Sequence, residues 1–290
     1  ALGAGILPKL TLYITVAFFL LCFEPLYTAV MEGQVNPIIL GLLVWFALSV
    51  AKEREIQAGT ALALAALIKM SPALLLLALL KLRMWRSIAA FAGVSISLTL
   101  LLYAFTESAQ VYAGFFNPVV PLVSGDMEER FVFNFAVDKS LLSLLGMHDN
   151  LYLRWLIKAL LFALPLALTL AARPVGMRSN LVLCGILVCC MILAAPSIWF
   201  HHMVWLIIPL AVLTIRKEML DEYSSKAAMR HWTFCLGCYF ALSQTNQFHY
   251  LALVHAPVLL NVTALLPALV ILIVIAGLAQ RANIRLALTG

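Results

Sequence analysis

Charge is scarce in this chain. Asp, Glu, Lys and Arg make up only 11% of its 290 residues, while 64% are apolar. A soluble domain carries about 25% charged residues. A core of this size cannot hide the apolar excess, because a folded soluble chain must still present polar surface to water. The solvent for much of the surface is therefore expected to be lipid. Cysteine is equally sparse. The six cysteines, Cys22, Cys184, Cys189, Cys190, Cys235 and Cys238, all fall inside apolar runs. That placement speaks against a disulfide framework. The CxxC formed by Cys235 and Cys238 reads as packing residues of a membrane helix. Soluble catalytic signatures are missing altogether. There is no GxxxxGK followed by Ser or Thr, no GxSxG, no HExxH and no dinucleotide fingerprint. No cofactor and no metal site is expected.

What is present is a series of apolar runs long enough to cross hydrocarbon, which takes about 20 residues. Crossings are expected over Leu10–Met31, Pro37–Ala51, Ser87–Thr106, Leu151–Ala172, Asn180–Ala195, Met203–Ile215, His231–Phe248 and Val258–Gln280. Between them the basic residues gather in short clusters. The net charge of +6 is thus not a nucleic-acid footprint, and no nucleic-acid partner is expected. Lys9, Lys52, Arg54, Lys81, Arg83, Arg86, Arg173, Arg178, Arg216, Lys217, Lys226, Arg230, Arg281 and Arg285 fall on one side, 14 of the 19 basic residues. By the positive-inside rule that side is cytoplasmic. The polar stretch 107–150, with Asp126, Glu128, Glu129, Asp138 and Asp149, then lies outside.

Residues 56–80 lie between two cytoplasmic clusters, so the segment enters and leaves on one side. Lys69-Met70-Ser71-Pro72 interrupts it, and proline both lacks a donor and turns the preceding residue away from helix. A re-entrant hairpin with its tip at Lys69–Pro72 is expected. Non-helical backbone at that depth needs protein or a wet cavity around it. The expected fold is all-α, a polytopic helical membrane bundle of about eight crossings plus this hairpin, forming one integral membrane domain over 1–290.

Five clusters carry polar chemistry. Glu32-Gly33-Gln34-Val35-Asn36-Pro37 is a polar knot at the outer end of two apolar segments. Gly33 permits a tight turn and Pro37 suits a first helical turn. The amides of Gln34 and Asn36 suit sugar hydroxyls, or the knot simply caps two helices. Ala195-Pro196-Ser197-Ile198-Trp199-Phe200-His201-His202 also falls at an outer boundary. Trp199 and Trp205 fit an interfacial belt. The adjacent histidines point about 100° apart on a helix, and an imidazole can donate to a phosphate or shuttle a proton. Lys69 is an ammonium at membrane depth, which is functional by default unless it snorkels or pairs with a carbonyl. Arg154 and Lys158, four apart on one helix face, stand on the outer side against the charge trend. They suit a bound anion such as a lipid phosphate, or pairing with Asp149 or another loop acid. Finally, 133–145 reads as a short amphipathic helix on the outer surface. There Asp138 is a candidate base, or a solvated loop carboxylate.

Taken in order, Gly33-Gln34-Val35-Asn36, Lys69-Met70-Ser71-Pro72, Leu82-Arg83-Met84-Trp85-Arg86, Asp138-Lys139-Ser140-Leu141 and Ser197-Ile198-Trp199-Phe200-His201-His202 form a series. That series resembles glycosyltransferase family 87, of the integral-membrane GT-C fold. The resemblance implies inverting transfer of a hexose, mannose above all, at the extracytoplasmic face of the cell membrane. The donor it implies is a polyprenyl-phosphate sugar and the acceptor a lipid-linked or cell-envelope glycan. It further implies that Trp199, His201 and His202 bind or activate the donor phosphate, that Gln34 and Asn36 bind substrate, and that Lys69 matches the family's lysine before proline. Such enzymes carry a catalytic aspartate in their first extracytoplasmic loop, and this chain has no match for it. The chain begins at Ala1 with no basic signal-peptide region. It is read as lacking the family's N-terminal segment. The alternative class is a transporter or flippase of a lipid-linked glycan, since broken apolar segments and midplane polar residues also mark transporters.

Overall fold

The computed structural model describes residues 17, 20–106, 135–147, 150–174, 176–195, 198–214, 226–256 and 259–281. Most of the 107–150 stretch, the first half of the expected Leu10–Met31 crossing, Asp149 and the pair Pro196-Ser197 lie outside them. Among the described residues there are twelve α-helices and no strand. They are α1 (Glu24–Met31), α2 (Asn36–Ala51), α3 (Glu55–Ile68), α4 (Leu76–Lys81), α5 (Trp85–Thr106), α6 (Val137–Leu144), α7 (Leu151–Ala171), α8 (Met177–Leu193), α9 (Ile207–Thr214), α10 (Lys226–Ser243), α11 (Thr245–His255) and α12 (Leu260–Arg281). Two 3₁₀ segments, Ser71–Leu75 and Phe200–Leu206, lead into α4 and α9.

Three of these helices are long and apolar enough to span a bilayer, over Trp85–Phe105, Leu151–Ala171 and Val262–Ala279. The expected crossings over 37–51, 180–195, 203–215 and 231–248 are shorter apolar helices of 10–17 residues, and the described helix of the Leu10–Met31 run is the eight-residue α1. The 231–248 run is split at Gln244 into α10 and α11. The molecule is a helical membrane bundle, as its composition implies.

The organising element is α8. Every residue from Val182 to Leu193 is buried. A helix apolar on all sides belongs in the centre of a bundle, and α8 packs against α2, α4, α7, α9 and α12. Gly185 lets it approach Pro209 closely, since a Cβ there would sit 3.4 Å from the Pro209 Cα. The pair α3–α5 is closer still. A Cβ on Gly59 would lie 2.1 Å from the Ser87 carbonyl oxygen, so the contact requires glycine.

Three short reversals set the positions of the polar residues. At Gly33 (φ +63°) the amide of Gln34 returns to the Ala29 carbonyl at 2.8 Å, closing α1 and starting α2 five residues after its last turn. The same closure occurs with non-glycine residues at Glu53 (φ 56°) and Arg83 (φ 55°), ending α2 and α4. Between α3 and the Ser71–Leu75 turn the chain breaks at Lys69, whose backbone is extended at φ −152°, ψ 129°. Pro72 sits in the first turn of the Ser71–Leu75 segment, where its missing N–H costs nothing.

Candidate functional site

The site is built where the α1–α2 reversal meets the Phe200–Leu206 turn. Trp199 enters that turn with extended backbone (φ −95°, ψ 156°). Its N–H donates to His202 Nδ1 at 2.9 Å, and the His202 N–H donates back to the Trp199 carbonyl at 2.9 Å. The reciprocal pair satisfies backbone groups that a helix start leaves open. It also settles the ring chemistry. Because Nδ1 accepts, the proton of a neutral His202 sits on Nε2, the atom in contact with Lys69 Nζ, and that N–H can donate only to an uncharged Lys69 amine, since an ammonium has no acceptor. The Lys69 nitrogen lies 5.2 Å from the Trp205 ring centroid, and Trp205 Nε1 donates to the Asn36 carbonyl at 3.2 Å. His202 is therefore buried with both ring nitrogens engaged.

His201 is held differently. Its Nδ1 lies 3.0 Å from Glu32 Oε2, across 169 residues of sequence. An ionised carboxylate only accepts, so Nδ1 carries the proton and Nε2 keeps its lone pair. Nε2 has no hydrogen-bond partner among the described residues. The His201 ring lies nearly parallel to Trp199, at 4° with centroids 6.3 Å apart, and edge-on to His202 at 4.6 Å.

His201, Glu32 and Trp199 open onto a pocket of about 520 Å³. Thr28, one helical turn before Glu32, adds to the same wall, and Asn246, Gln247 and Tyr250 of α11 complete it. The α11 wall is anchored to α1. The Glu24 N–H donates to Ser243 Oγ at 3.2 Å, and the Glu24 carboxylate accepts a hydrogen bond from the Asn246 side chain.

The 32–37 knot and the Trp199–His202 turn thus meet at one pocket, which the candidates Trp199 and His201 line together with Glu32 in place of Gln34 and Asn36. Gln34 is exposed and does not line the pocket. Asn36 is fully buried, and its Oδ1 and Nδ2 have no hydrogen-bond partner. Lys69 sits beyond His202 and lines no part of the pocket. Arg154 and Lys158 on α7 are also outside the lining. Arg154 is buried, and Lys158 lies 3.6 Å from Asp138 and 5.5 Å from the Trp155 ring centroid.

Asp138 corrects the sequence reading. It is not a solvated loop acid. The short helix is present as α6, but it packs against α7 and α12 instead of lying on the surface, and Asp138 is 2% exposed. A buried carboxylate is tolerable because Lys158 pairs with it. Sequence reasoning missed Glu32 as the partner of His201, and the α11 wall. The signal for the wall was there: Gln244-Thr245-Asn246-Gln247 puts four polar residues in a row inside an apolar segment. Among the described residues no cluster of three His, Cys, Asp or Glu side chains could hold a metal ion.

No curated protein and no solved structure matches the chain. One family model does, that of glycosyltransferase family 87, over residues 3–196. The match covers two thirds of the chain, from before the Gln34/Asn36 knot through Lys69 to Arg154 and Lys158. It stops just short of Trp199, His201 and His202. A sugar-transferring family displaces the transporter alternative, and the chain belongs to glycosyltransferase family 87.

Proposed function

We propose that this membrane glycosyltransferase moves a hexose, mannose or a close relative, from a polyprenyl-phosphate donor to a lipid-linked or cell-envelope glycan. The transfer runs with inversion at the extracytoplasmic face, in a bundle of the GT-C kind. The observation that carries this reading is the His201–Glu32 pair, which lines a pocket beside the Trp199 ring and leaves His201 Nε2 with its lone pair. The one-sided distribution of basic residues supports the orientation, since the pocket-forming segments sit at the opposite ends of the apolar runs.

The chemistry rests on the two imidazoles. In an inverting transfer the acceptor hydroxyl oxygen attacks the anomeric carbon. The carbon–oxygen bond to phosphate breaks, and polyprenyl phosphate leaves with the bonding electrons. The hydroxyl proton needs an acceptor near neutral pH. His201 Nε2 takes it, and the imidazolium formed is stabilised by the Glu32 carboxylate at 3.0 Å. The proton then passes to water. His202 is a positioning residue. Through Nδ1 it fixes the Trp199 turn, and Lys69 stands behind it, where in its protonated form it would suit the charge growing on the departing phosphate. Gln34 and Asn36 shape the turn that delivers Glu32, and Arg154 and Lys158 form a second basic face on α7 beside Asp138.

Transfer of labelled mannose from polyprenyl-phosphate-mannose tests this directly, in membranes carrying the full-length protein. His201→Ala is expected to lower transfer by at least about a hundredfold, the low end of a lost general base. Full transfer by His201→Ala would end the site assignment. Absence of transfer from any polyprenyl-phosphate sugar would end the donor assignment.

A further inference from the structure

We propose that the α11 wall of the pocket, Asn246, Gln247 and Tyr250, is a subsite for the hydroxyls of the acceptor sugar, which are uncharged when bound. This deepens the transferase reading and rests on it. None of the three residues lies within the 3–196 segment that the family match covers.

Charge is the first reason. Among the described residues the pocket lining holds the Glu32 carboxylate and the His201 imidazole, and neither Lys nor Arg. Lys69 contacts the ring of His202 beyond the lining, and Lys158 is paired with Asp138. A phosphate carries negative charge and is repelled by a carboxylate with no cation beside it. The donor's sugar is one oxygen away from that phosphate, so seating it here would bring the phosphate against Glu32. A neutral polyhydroxyl ligand meets no such cost.

The wall's chemistry is the second reason. Asn246 and Gln247 each present an amide with two donors and an acceptor oxygen, matching hydroxyls that both donate and accept. The Glu24 carboxylate accepts from Asn246, only Nδ2 can give that bond, and Oδ1 is left to accept from a ligand hydroxyl. Asn246 and Tyr250 are four apart on one helix, so the ring stands one turn along from the amide on the same face. With Trp199 it gives the pocket two flat apolar surfaces for the carbon faces of a pyranose. Gln247 is exposed and its side chain is free to reorganise around a ligand. The volume of about 520 Å³ lies in the range of small-molecule sites, roughly 300–1,000 Å³.

The test pairs binding with kinetics on the full-length protein in nanodiscs. Equilibrium dialysis with radiolabelled methyl mannobioside reads the subsite without any turnover. Gln247→Ala and Asn246→Ala are each expected to weaken binding about tenfold, the loss of one hydrogen bond or a little more. Added inorganic phosphate is expected not to displace the sugar. In the transfer assay the same variants should raise the KM for the glycan acceptor about tenfold and leave the KM for the donor unchanged. Gln247 is exposed, so its truncation spares the fold, and a melting curve confirms this for Asn246→Ala. Unchanged mannobioside binding in both variants overturns the proposal. So does displacement by phosphate, or a raised donor KM with the acceptor KM intact, which would seat the donor's sugar here. If wild-type protein binds mannobioside through these residues yet transfers no sugar, the subsite stands and the donor assignment falls.

Discussion

Replacing Glu32 by Gln removes one charge and little else. The amide oxygen of Gln can still accept from His201 Nδ1, so the ring keeps its orientation and its tautomer. What disappears is the attraction between a carboxylate and the imidazolium that forms when His201 takes a proton. At the observed 3.0 Å that attraction is about 1.4 kcal/mol at the dielectric constant of water and about 5.5 kcal/mol at an effective value near 20. The Glu32 side chain is 47% exposed and that of His201 12%, so screening brings the figure toward the lower limit, about 1.5–3 kcal/mol. Spent in the transition state, this is a rate factor of about ten to a hundred. The expected result is a fall of that size in kcat, with the donor KM unchanged. The melting temperature should barely move, because an exposed pair contributes only about 0–1 kcal/mol to stability. The assay is transfer of labelled sugar from polyprenyl-phosphate-mannose, with a thermal melt of the same preparation. A Gln variant within twofold of wild type, in a protein that His201→Ala inactivates, would refute the proton-acceptor role and leave His201 as a phosphate donor.

Gly59→Ala should destabilise the bundle by about 1–3 kcal/mol or more, because its Cβ meets the Ser87 carbonyl oxygen at 2.1 Å and backbone must shift; an unchanged melting temperature would show that α3 and α5 are not so closely packed. Lys158→Met strands Asp138, which is 2% exposed, at a cost of about 3–5 kcal/mol. Adding Asp138→Asn should recover much of it, whereas an intact melt with a raised donor KM would make Lys158 a substrate ligand instead. Asn36→Ala removes an amide that is buried without hydrogen bonds, worth about 1–3 kcal/mol of desolvation, and leaves a small void. Its melting temperature is expected to hold or rise, and a drop of several degrees would reveal a bound water or ligand on that amide.

Much of this architecture was legible in the sequence. Apolar runs gave the helices of α5, α7 and α12 nearly to their ends. The Lys69–Pro72 break appears where proline demanded it, and Gly33 closes α1 as a positive-φ residue must. Other features were readable but unread, such as the polar run 244–247 that divides α10 from α11. The misplacements have one cause. In a soluble helix an amphipathic stripe tells which face is inside. In lipid both faces are apolar, so nothing local distinguishes the buried Asn36 from the exposed Gln34, or the central α8 from the lipid-facing α5.

The sequence by itself determined that this is a membrane protein of helices, where those helices break, and which family's motifs it carries, because solvation by lipid and the stereochemistry of glycine and proline act within a few residues. Only the tertiary structure decided that Glu32 reaches His201, that Lys69 stands behind His202, that Asp138 is buried against Lys158, and that α11 closes the pocket. Each of these pairings depends on helix packing instead of local sequence, and in the first it joins residues 169 positions apart.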